Sequence, residues 1–103
     1  MYMINNKYYY LKRIADKKKN LDLLLLADPE EEAIDKYIND CEIFEFYHKD
    51  ILIGQGAIKQ LSSTIYEIKN FAIYEKFHNC GYGKILIKLL CEKYLSNSKD
   101  MIL

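Results

Sequence analysis

The stretch from Glu67 to Lys84 carries the residues best suited to bind a ligand. An apolar, β-prone run ends near Tyr74, a polar turn follows, and Gly81 and Gly83 stand at the start of an amphipathic pattern. A strand that runs into a helix in this way leaves backbone N–H groups unpaired in the first helical turn, and the positive end of the helix dipole lies at the same place. The stretch therefore predicts an anion site, most simply one for phosphate.

Two familiar phosphate-binding motifs do not fit this stretch. A Walker loop requires Ser or Thr after Gly-Lys, but Gly83 and Lys84 are followed by Ile85. A dinucleotide fingerprint requires a third glycine where this chain has Leu86. The glycines also follow several predicted antiparallel strands and not an opening βαβ unit. The sequence therefore predicts a phosphate site of a different architecture.

The first part of the chain predicts a strand and two helices. Residues 8–14 are aromatic and β-branched, which favours a strand. A leucine stripe predicts a helix over residues 17–27. Asp28 can cap a second helix, Pro29 suits its first position, and the glutamates that follow favour its positive end. We expect this second helix to end near Ile38.

The second part predicts an antiparallel meander followed by a crossover. The expected elements are strands over residues 41–47, 51–61 and 64–74, a helix over residues 83–95, and the start of a strand over residues 101–103. Gly54 and Gly56 predict a bulge or a close backbone approach in the second of these strands. The order is β-α-α-β-β-β-α-β with the last strand incomplete. This is an α+β fold with a mixed sheet, in which the third meander strand and the terminal strand are parallel.

Composition limits the classes of function. A chain of 103 residues predicts one domain, and its 15 basic and 15 acidic residues give no net charge that would attract nucleic acid or a membrane surface. Three cysteines without CxxC spacing argue against a disulfide framework, and His48 and His78 share no ligand spacing, so we expect no metal site. The longest apolar run, residues 23–27, is too short to span a bilayer. The N-terminus lacks a signal layout, which predicts a cytoplasmic protein.

At the glycine junction the chain resembles the GNAT superfamily of acyl-CoA N-acyltransferases. The signature of that family is Gln or Arg, two residues, Gly, one residue, then Gly or Ala, after a strand that often ends in Ala-Val or Ala-Ile. Here Ala72 and Ile73 close the strand, and residues 78–83 read His-Asn-Cys-Gly-Tyr-Gly. The resemblance covers about residues 21–103, and the order of the predicted elements agrees with it.

The resemblance implies that acetyl-CoA is a co-substrate and that an amine of unknown identity accepts its acetyl group. In the family the loop amides hold the pyrophosphate, and the end of the strand pairs with the pantetheine arm. The residues at the matching positions are Phe71, Ala72, Ile73, His78, Asn79, Cys80, Gly81, Tyr82, Gly83 and Lys84. Two of them depart from the family pattern, because His78 stands where Gln or Arg is usual and Cys80 replaces a commonly basic residue.

The resemblance also suggests a general base, because the attacking amine must be neutral. Glu67 lies as far before Ala72-Ile73 as the strand glutamate of histone-type family members does. The alternative is that Glu67 faces solvent and is balanced by Lys69 on the same face. The family's usual general acid is a tyrosine on a helix that follows the next core strand. By resemblance, this sequence does not contain that helix.

Three functions follow as hypotheses. By resemblance the sequence lacks the rest of the fifth core strand, a helix and a final hairpin, so we expect an N-acetyltransferase-like domain, residues 1–103, that is truncated and impaired. The alternative is a non-catalytic remnant that binds CoA or forms a homo-oligomer through the exposed edge of residues 101–103. A third possibility is nucleic-acid binding through Tyr8–Tyr10 and the basic residues between positions 12 and 19. The neutral net charge argues against it, and we expect no nucleic-acid partner.

Overall fold

The fold is a six-stranded mixed sheet with helices on both faces. The computed structural model describes residues 2–4, 7–94 and 100–102, with side chains for residues 8–94. The strands are β1 Tyr2–Ile4, β2 Lys7–Ile14, β3 Cys41–His48, β4 Ile51–Gln60, β5 Ile65–Ile73 and β6 Asp100–Ile102. The α-helices are α1 Leu21–Ala27, α2 Glu31–Asp35 and α3 Tyr82–Tyr94, and short 3₁₀ turns cover Ile38–Asp40 and Glu75–Phe77.

Strand order in the sheet follows the chain. The order is β1-β2-β3-β4-β5-β6. All neighbouring pairs are antiparallel except β5 and β6, which are parallel and are connected through α3. The predicted α+β class, the meander and the parallel crossover are therefore confirmed. The strand Tyr2–Ile4 was not predicted, since its three residues pair with β2 only as an added edge.

The sheet separates two hydrophobic clusters. Alternation along β3 directs Cys41 and Ile43 to the face covered by α1 and α2, and Phe44 and Phe46 to the face covered by α3. Each face therefore has its own packing layer, with α3 contributing the fully buried Leu86 and Leu90, among others. This arrangement fixes the start of α3 against one face and the end of α1 against the other.

Four predicted helix boundaries were wrong. The first helix begins at Leu21 and not at residue 17, because residues 15–20 form bends and turns. Asp28 ends that helix and does not begin the next, since its N–H donates to the carbonyl oxygen of Leu24. The second helix has Glu30 at its N-cap, without a side-chain cap, and ends at Asp35. The third helix starts at Tyr82, one residue earlier than predicted. Residue 95 at its predicted end lies outside the described residues.

The glycine prediction for β4 is confirmed. A β-bulge leaves Ile53 as the extra residue, because Phe46 pairs with Gly54 and the next residue of β3 pairs with Leu52. A Cβ on Gly54 would lie 2.3 Å from the carbonyl oxygen of Ala72, so only glycine fits there. The close approach holds the end of β5 against β4. In the parts of the chain that the structure describes, no helix is long and apolar enough to cross a membrane.

Candidate functional site

A cleft opens where β5 ends, between the end of α1 and the start of α3. Its volume is about 490 Å³, within the range typical of small-molecule sites. The cleft is lined by Leu26, Ala27, Phe71, Ala72, Ile73, Glu75, Phe77, His78, Asn79, Gly81, Tyr82 and Gly83. Eight of the ten residues predicted to bind the cofactor are among them. The other two, Cys80 and Lys84, are exposed on the same loop and first helical turn but do not line the cleft.

The backbone donors of the loop are free. The N–H groups of residues 79–84 donate to no other described residue. The first amide beyond them with a backbone partner is that of Ile85, whose nitrogen lies 3.4 Å from the carbonyl oxygen of Gly81. Six consecutive donors at the positive end of a 13-residue helix provide the hydrogen-bonding groups and the potential that an anion requires. Gly81 is exposed and Gly83 is half-buried, so neither is packed away.

Two residues give the loop its shape. Asn79 has φ 64° and Gly81 has φ 82°, both in the left-handed region. Asparagine tolerates this region better than most residues, and glycine adopts it without steric cost. Turns with alternating handedness direct successive N–H groups toward one concave side and form nests for anions. The sequence His-Asn-Cys-Gly thus encodes the turn locally.

His78 fastens the loop to the end of β5. Its Nε2 lies 2.7 Å from the carbonyl oxygen of Ile73. Because a carbonyl oxygen only accepts, Nε2 carries the proton in this contact. The ring therefore bridges the strand end and the loop, which gives His78 a positioning role. A contact of His78 with a cofactor remains a prediction.

The end of β5 also offers backbone groups to the cleft. The N–H of Tyr74 donates to the carbonyl oxygen of Ile53 on β4 at 3.0 Å, and the register continues without a break through Ala72. Hydrogen-bonded and non-hydrogen-bonded pairs alternate along an antiparallel ladder, so Phe71 and Ile73 direct their N–H and C=O groups away from β4. The carbonyl of Ile73 already accepts from His78. The other groups can pair with an extended ligand laid along this edge.

Glu67 lies away from the cleft. It does not line the cavity, and it is six residues before Ile73, which corresponds to about 20 Å along a strand. Its carboxylate forms an ion pair with Lys69 Nζ at 3.3 Å, which is the alternative that the sequence left open. Among the described residues, Glu67 is also the last position at which β5 pairs with β6, opposite Ile102. Its role as a base remains a prediction.

Sequence reasoning missed several residues of the cleft. Leu26 and Ala27 come from α1, and Glu75 and Phe77 come from the 3₁₀ turn after β5. No local motif marks the α1 residues, because they reach the cleft only when α1 packs on the sheet. Glu75 and Phe77 lie between the two segments predicted to bind the cofactor, residues 71–73 and 78–84, so their place in the chain could have predicted that they line the cleft.

A buried polar network adjoins the cleft on the α1 face. Asn20 Nδ2 donates to Glu45 Oε2 at 2.7 Å and to Gln55 Oε1 at 2.9 Å, and Gln55 pairs across the sheet with Ala72 of the cleft wall. Burial by itself would raise the pKa of the Glu45 carboxyl. Hydrogen bonds from Asn20, Tyr47 and Lys19 outweigh that effect and lower it. The network ties the start of α1 to the middle of the sheet.

Metal and disulfide chemistry have no support in the described part of the chain. No group of three or more His, Cys, Asp or Glu side chains there is arranged to hold a metal ion. All three cysteines are free, with Cys41 buried and Cys80 exposed. Burial raises the pKa of the Cys41 thiol to about 11, which makes it unreactive at neutral pH.

Comparison with known proteins gives relatives for most of the chain. No protein-family model matches the sequence. The uncharacterised N-acetyltransferase YvbK of Bacillus subtilis is 33% identical over 81 residues, which are 79% of this chain and 52% of YvbK. The chain thus spans about half the length of this curated relative.

Solved structures share the fold. A GNAT family acetyltransferase from Elizabethkingia anophelis with acetyl-CoA bound has a TM-score of 0.74 and 35% identity, over 82% of this chain and 56% of that one. A Bacillus subtilis acetyltransferase in complex with CoA has a TM-score of 0.72 and 29% identity, over 87% and 59% of the two chains. An IAA acetyltransferase from Bacillus cereus has a TM-score of 0.76 and 27% identity, over 86% and 59%.

Proposed function

Because the chain is GNAT-like in both sequence and fold, we propose that it binds acetyl-CoA in the cleft at the end of β5 and is an N-acetyltransferase-like domain. The observation that carries the proposal is the set of six free amides at residues 79–84. They would hold the pyrophosphate, since unpaired N–H groups at a helix start point at the ligand and the helix dipole there favours negative charge. Two related proteins that carry CoA or acetyl-CoA support the same ligand.

The thioester arm would lie along the outer edge of β5. The N–H groups of Phe71 and Ile73 and the carbonyl of Phe71 would pair with the amides of the pantetheine, as in strand addition. Leu26 and Ala27 would cover its apolar carbons from the α1 side. In this arrangement His78 holds strand and loop together and leaves the phosphate contacts to the main chain.

The proposed reaction is transfer of the acetyl group to a primary amine. The neutral amine attacks the thioester carbonyl carbon, a C–N bond forms, the C–S bond breaks, and CoA leaves as a thiolate that takes up a proton. Before the attack, a base must take a proton from the ammonium form of the acceptor, because only the neutral amine has a lone pair to donate. We keep Glu67 as the candidate base, because it stands as far before Ala72-Ile73 as the strand glutamate of histone-type family members does. Its ion pair with Lys69 would have to open first.

The 103-residue chain spans between 52% and 59% of the length of the relatives described above. We propose that residues 1–103 bind acetyl-CoA and that, by themselves, they transfer the acetyl group slowly. The second candidate is a remnant without catalysis that binds CoA or pairs through β6, which lies at the edge of the sheet among the described strands.

Thermal unfolding with and without acetyl-CoA tests the first step. At 100 times the Kd a ligand adds about 2.7 kcal/mol to the free energy of unfolding, which corresponds to a rise in Tm of about 11–22 °C for a domain of this size. An unchanged Tm at millimolar acetyl-CoA would refute the proposal. CoA release over a panel of primary amines then separates the candidates, since a remnant gains stability but releases no CoA.

A further inference from the structure

The first residue of α3 is clamped by an aromatic group on the α3 face of the sheet. The Tyr82 ring makes edge contacts with Phe46 at 6.1 Å, Phe77 at 5.8 Å and Tyr9 at 6.4 Å between ring centroids. These partners come from β2, β3 and the turn after β5. The ring of Tyr82 is therefore held by three separate segments, while its backbone N–H belongs to the free donors of the loop.

A single directed contact fixes the Tyr82 ring within this group. Its hydroxyl shares a hydrogen bond with His48 Nδ1 at 2.7 Å. His48 is the last residue of β3, is 8% exposed, and stacks on Tyr9 with ring centroids 4.3 Å apart. The edge contacts are weakly directional, whereas the short hydrogen bond specifies both the rotation and the depth of the tyrosine.

We propose that His48 is a positioning residue for the anion cradle, acting through the Tyr82 hydroxyl. Tyr82 follows Gly81, whose φ lies in the left-handed region, so the clamp on its ring sets where the cradle amides point. The inference rests on the proposed binding of acetyl-CoA. It predicts that a residue remote from the loop in sequence controls the affinity for the pyrophosphate-bearing ligand.

The test uses variants that keep the rings and remove the polar atoms. Tyr82→Phe removes the hydroxyl, His48→Phe removes Nδ1, and the double variant removes both. Tyr10→Phe is the matched control, since it also deletes a tyrosine hydroxyl bond, to Asp50 Oδ1 at 2.9 Å on the β3–β4 turn. The Kd for acetyl-CoA and the Tm without ligand are measured for each. If His48→Phe does not fold, Tyr82→Phe and its control still decide.

We expect Tyr82→Phe and His48→Phe each to raise the Kd for acetyl-CoA about five-fold, the order expected for one net hydrogen bond. The double variant should be no weaker than either single one, because both remove the same contact. Tyr10→Phe should lower the Tm without changing the Kd. An unchanged Kd in Tyr82→Phe, additive losses, or an equal loss in Tyr10→Phe would overturn the inference. A wild-type chain that does not bind acetyl-CoA would remove the proposed function and this inference with it.

Discussion

Replacing Gly83 by alanine should make the free protein more stable and the complex weaker. A Cβ at Gly83 would lie 3.7 and 3.8 Å from two ring carbons of Phe71, which is ordinary van der Waals contact. Gly83 is the second residue of α3 and has no positive φ. Gly→Ala at such a position restricts the unfolded chain and raises the free energy of unfolding by about 0.4–1 kcal/mol. The expected rise in Tm without ligand is about 2–8 °C.

The same methyl group should obstruct the ligand. Gly83 and Phe71 both line the cleft, so the Cβ fills space at the point where the loop amides meet the strand. A ten-fold weaker Kd costs about 1.4 kcal/mol. At a concentration of acetyl-CoA 100 times the wild-type Kd, stabilisation by the ligand then falls from about 2.7 to about 1.4 kcal/mol. Differential scanning fluorimetry over a ligand titration measures both changes in one experiment.

Gly81→Ala is the matched control for Gly83→Ala. A Cβ at Gly81 would meet no atom within 4 Å, but the residue has φ 82°, so alanine costs about 1–2 kcal/mol of backbone strain. The two substitutions should therefore shift the Tm of the free protein in opposite directions. A Gly83→Ala variant that is less stable without ligand, or that binds acetyl-CoA as tightly as the wild type, would refute this account of the cleft.

Three further predictions concern side chains. His78→Ala should raise the Kd for acetyl-CoA about three- to ten-fold, because it removes the hydrogen bond to the Ile73 carbonyl. His78→Gln can still donate this bond and should restore the Kd. Calorimetry measures both values, and an unchanged Kd in His78→Ala would contradict the positioning role. If Glu67 is the base, Glu67→Gln should slow CoA release at least about 100-fold with an unchanged Kd for acetyl-CoA. The control Lys69→Met should leave the rate within about two-fold. Equal rates in Glu67→Gln and the wild type would show that Glu67 is not the base and only forms the ion pair with Lys69. The pKa of Glu45 is lower in the folded protein than its usual 4.5. The carboxylate therefore adds to the free energy of unfolding above pH 4.5, and this stabilisation is lost as the pH falls through the lowered pKa. Glu45→Gln should lower the free energy of unfolding by about 1.5–3 kcal/mol at pH 7, and its Tm should fall less steeply below pH 5 than that of the wild type. A variant whose Tm falls as steeply as that of the wild type would contradict the assignment.

Local sequence was sufficient where neighbouring residues decide the conformation. The strand–loop–helix junction could be predicted because a β-prone apolar run, a polar turn with Gly81 and Gly83, and an amphipathic helical pattern follow one another in the chain. The parallel crossover followed from the helix between two strands. The boundary at Asp28 was wrong because an aspartate before proline suits either end of a helix, and here its N–H bonds back to Leu24.

Partners far apart in sequence could not be predicted with the same certainty. Glu45 shares a face of β3 with Cys41 and Ile43 by simple alternation, so its burial was a readable signal. That Asn20 would meet it, instead of capping α1, depends on how the helix packs on the sheet. The same holds for His48, which alternation places with the apolar residues of the α3 face.

The sequence alone determined the order of the main elements, the mixed sheet and the glycine-bearing turn before α3, because these depend on propensity and periodicity that neighbours in the chain control. Only the tertiary structure decided which side chains complete the cleft. Leu26 reaches it through the packing of α1, and His48 reaches Tyr82 across 34 residues through the packing of α3 on the sheet. Contacts of this kind depend on the relative placement of packed layers, and that placement is set by the whole core and not by any single segment.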